Sequence, residues 1–253
     1  MLQNEWDAIR THALPADAHQ RATGICVISI DNSRFSTAFF RRLAREILPH
    51  FETFWFFVAD DLMVYNKYLT LEEARRFNAV EASYLQERRL QIEKVLAADP
   101  PKAEVSVRSY GDVIDRDFVR FFRKFLVLFD SDPELSARVE AHAVAFTAKR
   151  GAELSPQARQ AMLRSSMAYI VEESAWTVYL AATQRVTDNF YPGAISVLIR
   201  EFYSSPRFSD YLGLLGLPPH VHRIWDLTPD PALWSQGLHC ETFGCRFHET
   251  AGG

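Results

Sequence analysis

Apolar and polar positions change their period several times along this chain, and each change marks an element. Gly24-Ile-Cys-Val-Ile-Ser-Ile-Asp-Asn-Ser-Arg-Phe-Ser36 is apolar from Ile25 to Ile30, interrupted by Ser29, and then turns polar at once. A β-rich apolar run of this length, bounded by turn residues, predicts a strand buried on both faces. Asp31, Asn32 and Ser33 are turn and N-cap types. In Thr37–Leu48, residues Phe39, Phe40, Leu43 and Ile47 recur at helical spacing. Thr53–Asp60 reads as a second buried strand ending in carboxylates. Strand, helix and strand in sequence form a βαβ unit, which pairs its strands in parallel with a right-handed crossover.

Thr70-Leu-Glu-Glu73 reads as a capping box that opens a long helix, running to about Ala98 before Pro100-Pro101. Val105–Tyr110 is a third strand candidate, and Asp115–Phe129 and Pro133–Arg150 read as helices. Ser155-Pro156 places an N-cap before proline at the first helical position, starting a helix that runs to about Thr183. Ile195–Tyr203 reads as a helix or a strand–helix junction. Residues 1 to 22 are polar and read as a short surface helix or loop. The prediction is an α/β fold, a Rossmann-like parallel sheet flanked by helices. One domain over 1–253 is expected, with 229–253 an irregular C-terminal tail.

Composition narrows the functional classes. The chain has 253 residues, enough for a full core, and a formal net charge of −4, so any nucleic-acid contact must use a local basic face. Three cysteines, Cys26, Cys240 and Cys245, build no disulfide framework. The first residues are acidic and polar, unlike a signal peptide, and no apolar run approaches the ~18 residues of a membrane span. A soluble cytoplasmic protein is expected. No Gly-x-Gly-x-x-Gly follows a strand, so dinucleotide binding has no support and no cofactor is expected. His239, Cys240, Cys245 and His248, with His220 and His222 earlier, match a zinc ligand set loosely, and no metal is expected.

Ser29 lies at the carboxyl end of the first strand, where open α/β sheets bind ligands. By spacing alone it is an ordinary strand-ending hydroxyl or a nucleophile. Tyr169 and Glu173 sit four apart on a helix and share a face. They form either a core tyrosine beside an exposed acid or a carboxylate–hydroxyl pair able to hold an ammonium and take its proton. Glu172 lies on a different side of that helix, so Glu173 is preferred. The helix from Thr70 carries Arg75, Arg76, Arg88, Arg89 and Lys94 among several glutamates. That mixture reads as a solvated face or as a thin phosphate-binding surface.

Ser29-Ile-Asp-Asn32-Ser-Arg-Phe35 resembles the signature of the cyclodipeptide synthases, where a Ser, an Asn three residues on and then Ser-x-Phe follow the first strand. Tyr169-Ile-Val-Glu-Glu173 resembles the family's Tyr-x-x-x-Glu on a long helix, and Tyr191-Pro192 is a third match in order. The resemblance implies a fold similar to the catalytic domain of class I aminoacyl-tRNA synthetases. It also implies aminoacyl-tRNA substrates, with no ATP, because the chain lacks His-x-Gly-His-like and Lys-Met-Ser-Lys-Ser-like elements. Ser29 would take the first aminoacyl group as an ester. Tyr169 and Glu173 would hold its ammonium. The amine of a second aminoacyl-tRNA is then read as attacking that ester to give a dipeptidyl-enzyme, which closes to a 2,5-diketopiperazine. Glu173 would accept the proton, Tyr191 would relay or hydrogen-bond, and Asn32 would order the turn. By position, Ile25, Val27, Tyr110 and Trp176 would line the first amino acid's pocket.

In that family the corresponding long helix is basic and contacts the acceptor arm of tRNA. This implies the same role for Arg75, Arg76, Arg88, Arg89 and Lys94. A monomer is expected, with no membrane partner. Two departures accompany the resemblance. Asn32 suits one branch of the family while Tyr191-Pro192 suits the other, and a family tyrosine falls near Phe118, which lacks a hydroxyl. Other readings of the same residues are a non-catalytic tRNA- or RNA-binding protein, or another Ser29-dependent acyltransferase. A hydrolase of the usual α/β kind would need a Gly-x-Ser-x-Gly elbow, which is absent.

Overall fold

The computed structural model describes residues 23–29, 34–59, 71–150, 154–184, 186–192, 202, 205, 207–218, 220–227 and 239–244. The elements are β1 (Thr23–Ser29), α1 (Thr37–Glu46), β2 (Thr53–Ala59), α2 (Leu71–Ala98), β3 (Glu104–Ser109), α3 (Arg116–Ser131), α4 (Pro133–Arg150), α5 (Pro156–Thr183), β4 (Val186–Pro192), α6 (Phe208–Leu215), β5 (Val221–Leu227) and β6 (His239–Gly244). The six strands form one sheet in the order β3-β2-β1-β4-β5-β6. β1 pairs in parallel with β2 and β4, β2 with β3, and β4 with β5, while β6 closes the far edge antiparallel to β5. The chain therefore winds outward from β1 to β3, returns across the sheet, and continues from β4. This is a doubly wound sheet with its switch point between β1 and β4.

Both faces of β1 are buried, and its side chains alternate between two cores. Ile25 and Val27 join Trp55, Phe57 and the apolar faces of α3, α4, α5 and α6. Cys26 and Ile28 join Phe54, Phe56, Val58, α1, and Ile92 and Val95 of α2. Burial pushes the Cys26 thiol far above its ordinary pKa, so it stays a neutral thiol. Ser36 caps α1, its Oγ accepting from the Phe39 N–H at 3.2 Å, and Ser155 caps α5, accepting from Ala158 N–H at 3.2 Å. The Ser155 cap sits where the sequence predicts it, whereas α1 is capped by Ser36 rather than by Asp31, Asn32 or Ser33. The capping residue Thr70 lies outside the described residues, as does the segment 1–22.

Three expectations change. The helix predicted to reach Leu48 ends at Glu46 and tightens into a 3-10 turn over Leu48–His50, because proline at 49 cannot continue the α-helix. The segment from Val186 to Pro192 is a central strand that periodicity did not reveal. Val-Thr-Asp-Asn-Phe-Tyr-Pro alternates too poorly, and its Asp188 is buried because Trp225 Nε1 donates to its Oδ1 at 2.8 Å. The tail from residue 229 is not irregular throughout, since His239–Gly244 pairs with β5 as β6. Its ordering comes from the β5 edge rather than from its own propensity.

Gly24 is where the two outermost requirements of β1 meet. A Cβ there would lie 2.7 and 2.8 Å from the Phe54 ring. Phe54 in turn packs edge-on against Phe51 and beside Phe56 and Phe190. Gly24→Ala should therefore cost about 1–3 kcal/mol through overpacking, read as a lower midpoint with unchanged slope in urea unfolding.

The carboxyl side of the second half is pinned by Asp132. Its Oδ2 accepts from Arg207 Nη1 and Tyr211 Oη, both at 2.7 Å, and its Oδ1 accepts from the Glu134 and Leu135 N–H groups at 3.1 Å. Burial alone would raise this carboxyl's pKa, but those hydrogen bonds and the Arg207 charge outweigh it and hold it below the ordinary value. A depressed carboxylate contributes stability that is present above its unfolded pKa of about 3.9 and is lost as pH falls through the lower folded value. Thermal unfolding of wild type against Asp132→Asn should show an advantage for wild type at neutral pH that shrinks below about pH 4.

Candidate active site

The carboxyl ends of β1 and β4 flank the switch point, the position at which doubly wound sheets bind ligands. Ser29 is the last residue of β1, paired with Ala59 at the end of β2. Asn32 lies outside the described residues. Tyr191 follows directly on Phe190, the last β4 residue in register with β1, opposite Cys26. Its half-buried ring packs against both cores. Ser29 and Tyr191 thus come from adjacent strands at one end of the sheet, brought there by topology across 162 residues of chain.

Phe35 joins the turn to β4. It is fully buried, its ring stacks on Phe40 with centroids 6.2 Å apart, and it meets the Tyr191 ring edge-on at 5.8 Å. Such edge-to-face aromatic pairs add orientation as well as apolar area. Phe35 stands inside the Ser29–Phe35 motif. Nothing in a local apolar pattern says which distant ring it will touch.

α5 supplies the acidic side. From Ser174 to Ala181 every residue is buried, so this stretch of the helix runs through the core without a solvent face. At its midpoint Tyr169 Oη donates to Glu173 Oε1 at 3.3 Å, and both side chains are half-buried. The pair anticipated by spacing does form. Glu172 forms a second one: Tyr110 Oη, arriving from the end of β3, donates to Glu172 Oε1 at 3.2 Å. Glu172 and Glu173 thus lie on different sides of α5, each accepting from a tyrosine hydroxyl. Both carboxylates are part-buried and both meet a tyrosine, and a tyrosine partner for Glu172 has no signal in local spacing.

The residues expected to line the first pocket do come together. Ile25, Val27, Tyr110 and Trp176 belong to one buried cluster. Trp176 meets Phe57 edge-on at 4.8 Å and Tyr110 at 5.2 Å. Among the described residues, the Trp176 Nε1 donor is buried without a hydrogen-bond partner. Buried donors are nearly always paired, which makes this wall the polar exception in an aromatic surround. Phe118 packs on Tyr179 at 5.4 Å and Phe122 at 5.9 Å, as a core residue of α3.

The basic residues of α2 divide. Arg75 and Arg76 lie on α2 and are described by backbone only. Arg89 and Lys94 are exposed, Arg89 with Nη2 donating to the Val107 carbonyl at 3.3 Å. Arg88 is turned inward, as detailed below. Among the described residues no cluster of His, Cys, Asp and Glu could hold a metal ion; Cys245 and His248 lie outside them. No helix among the described residues is long and apolar enough to cross a membrane.

No protein-family model matches this sequence, and no curated protein matches it. Solved structures do match. A cyclodipeptide synthase from Fluoribacter dumoffii superposes with a TM-score of 0.61 at 12% identity, over 78% of this chain and 90% of that one. The chain has the cyclodipeptide synthase fold. A cyclodipeptide synthase from Streptomyces noursei matches with a TM-score of 0.55 at 18% identity, over 73% of this chain and 88% of that one. A Mycobacterium tuberculosis protein, whose structure relates cyclodipeptide synthetases to type I tRNA synthetases, matches with a TM-score of 0.58 at 18% identity, over 75% and 81%. The cyclodipeptide synthase fold and the Rossmann-like sheet read from the sequence are thus one architecture.

Tyr110→Phe removes one hydroxyl and keeps the ring against Trp176. It should lower stability by about 1 kcal/mol, the usual worth of one such hydrogen bond, as measured by denaturant midpoint.

Proposed function

We propose that this chain is a tRNA-dependent cyclodipeptide synthase that joins two aminoacyl groups into a 2,5-diketopiperazine. The observation that carries this reading is the cyclodipeptide synthase fold with a serine ending β1 at the switch point. The Tyr169–Glu173 pair on α5 and Tyr191 near the end of β4 add to it.

In this reading Ser29 Oγ attacks the carbonyl carbon of an aminoacyl-tRNA ester. The ribose oxygen leaves with the serine's proton, and an aminoacyl ester remains on Ser29. Tyr169 and Glu173 hold that group's ammonium, and Glu173 takes one proton to free the amine. Atom balance then corrects the direction read from the resemblance. An incoming amine that attacked the Ser29 ester would free Ser29 and leave the dipeptide on tRNA. A dipeptidyl-enzyme forms when the Ser29-bound amine attacks the second ester and expels the second tRNA. The new terminal amine closes on the Ser29 ester carbonyl, the diketopiperazine leaves, and Oγ recovers a proton, with Tyr191 relaying it. Ring closure gains from the high effective concentration of an intramolecular step. Asn32 orders the turn, and Ile25, Val27, Tyr110 and Trp176 bound the first aminoacyl side chain.

Arg75, Arg76, Arg89 and Lys94 on α2 would carry phosphate contacts, so activity should fall as salt rises. Because its substrates are aminoacyl-tRNAs, the enzyme works in the cytoplasm, needing no ATP of its own. It is read as one catalytic domain acting as a monomer in secondary-metabolite synthesis.

The test is mass spectrometry of medium from bacteria expressing the chain beside a Ser29→Ala control. New diketopiperazine masses present with wild type and absent from the control are expected. A folded wild-type chain that yields none, and that forms no radiolabelled aminoacyl-enzyme from mixed aminoacyl-tRNA, would overturn the reading and favour a non-catalytic RNA-binding protein.

A further inference from the structure

Arg88 stands in the basic set that the resemblance assigns to tRNA, yet its guanidinium is turned into the protein. Nε donates to Tyr84 Oη at 2.7 Å, and Nη1 donates to the Phe35 carbonyl at 2.7 Å and to Gln91 Oε1 at 2.7 Å. The guanidinium also lies 4.8 Å from the Tyr84 ring centroid. Gln91 continues the chain of contacts, its Nε2 donating to Thr37 Oγ1 at 2.9 Å. One turn of α2 therefore grips the Phe35 carbonyl and the Thr37 hydroxyl, on either side of the Ser36 cap. That grip spans 53 residues of sequence. It closes on the segment following the turn after Ser29, and Phe35 is the residue whose ring meets Tyr191.

We propose that Arg88 is a positioning residue, clamping the Phe35–Thr37 segment at the start of α1 to α2, so that Ser29 and Tyr191 keep their relative placement. The proposal rests on the functional reading above for its effect on rate, but its structural content does not. The chemistry requires arginine. A planar fork reaches a carbonyl, a phenol oxygen and an amide oxygen at fixed angles, whereas lysine offers one compact point charge. A phosphate contact is less exacting, since lysine also binds phosphate as a point charge. Gln91 separates the two roles further, being uncharged and part of the same clamp.

The experiment compares wild type, Arg88→Lys, Arg88→Ala, Gln91→Ala and Arg89→Ala. Cyclodipeptide formation from mixed aminoacyl-tRNA is followed at several salt concentrations, and amide hydrogen exchange is followed over residues 34–40. A clamp predicts that Arg88→Lys and Arg88→Ala lose kcat alike, by about 10-fold or more as expected for a displaced catalytic group. KM and the salt slope should then stay near wild type, and Gln91→Ala should shift kcat in the same direction. The amides of Ser36, Phe39 and Phe40, bonded to Arg34 O, Ser36 Oγ and Ser36 O, should exchange faster in all three. Arg89→Ala should instead flatten the salt slope. Rescue by Arg88→Lys, with a raised KM and shallower salt slope in Arg88→Ala and unchanged exchange, would overturn the proposal and return Arg88 to the tRNA surface. If wild type makes no cyclodipeptide, the functional reading fails, while exchange in Gln91→Ala and Arg88→Lys still decides the clamp: faster exchange upholds it and unchanged exchange refutes it.

Discussion

Everything in this molecule depends on β1 being buried on both faces and hydrogen-bonded on both edges. Burial on both faces demands apolar side chains at consecutive positions, which is why Ile25 to Ile28 show no polar alternation. Pairing on both edges demands two parallel neighbours, and parallel neighbours require crossovers that carry helices over the sheet. Those helices supply the two cores. The tightest point is Gly24, where the approach of Phe54 leaves no room for a side chain.

Function in this architecture concentrates where order and reversal meet. The chain leaves β1 in one direction and resumes at β4 in the other, which puts the switch point between their carboxyl ends. Phe35, Tyr191 and the Arg88–Gln91 contacts form a continuous path from α2 through the α1 cap to β4. On the opposite face α5 brings two tyrosine–carboxylate pairs, Tyr169–Glu173 and Tyr110–Glu172, within one helical turn. An acid bonded to a phenol in the folded state is oriented without a bound ligand, which lowers the ordering cost of any later contact.

Charge is arranged economically. With a net charge of −4, the chain has no general attraction for a polyanion. α2 mixes arginines and glutamates, and at least one of its arginines is committed to internal contacts. A tRNA surface here would be small, which suits a substrate held chiefly by its reacting end. The Asp132–Arg207–Tyr211 cluster shows the other use of charge, as an internal fastener between the α3–α4 junction and α6.

By itself the sequence determined the local events: the apolar run of β1, the Ser155 cap, the α/β class and the Tyr169–Glu173 spacing. Each depends on residues within one or two turns of one another, where periodicity and capping chemistry act directly. Tertiary structure decided the rest. β4 carries a buried Asp188 that is acceptable because Trp225, from another strand, donates to it. β6 is a strand because β5 offers it an edge. Glu172 meets Tyr110, which arrives from the end of β3, and Arg88 faces inward because the Phe35 carbonyl, 53 positions away, is there to accept. An arginine on a long mixed-charge helix reads the same in sequence whether it meets water, phosphate or a distant carbonyl, because the partner that distinguishes them is supplied by the fold.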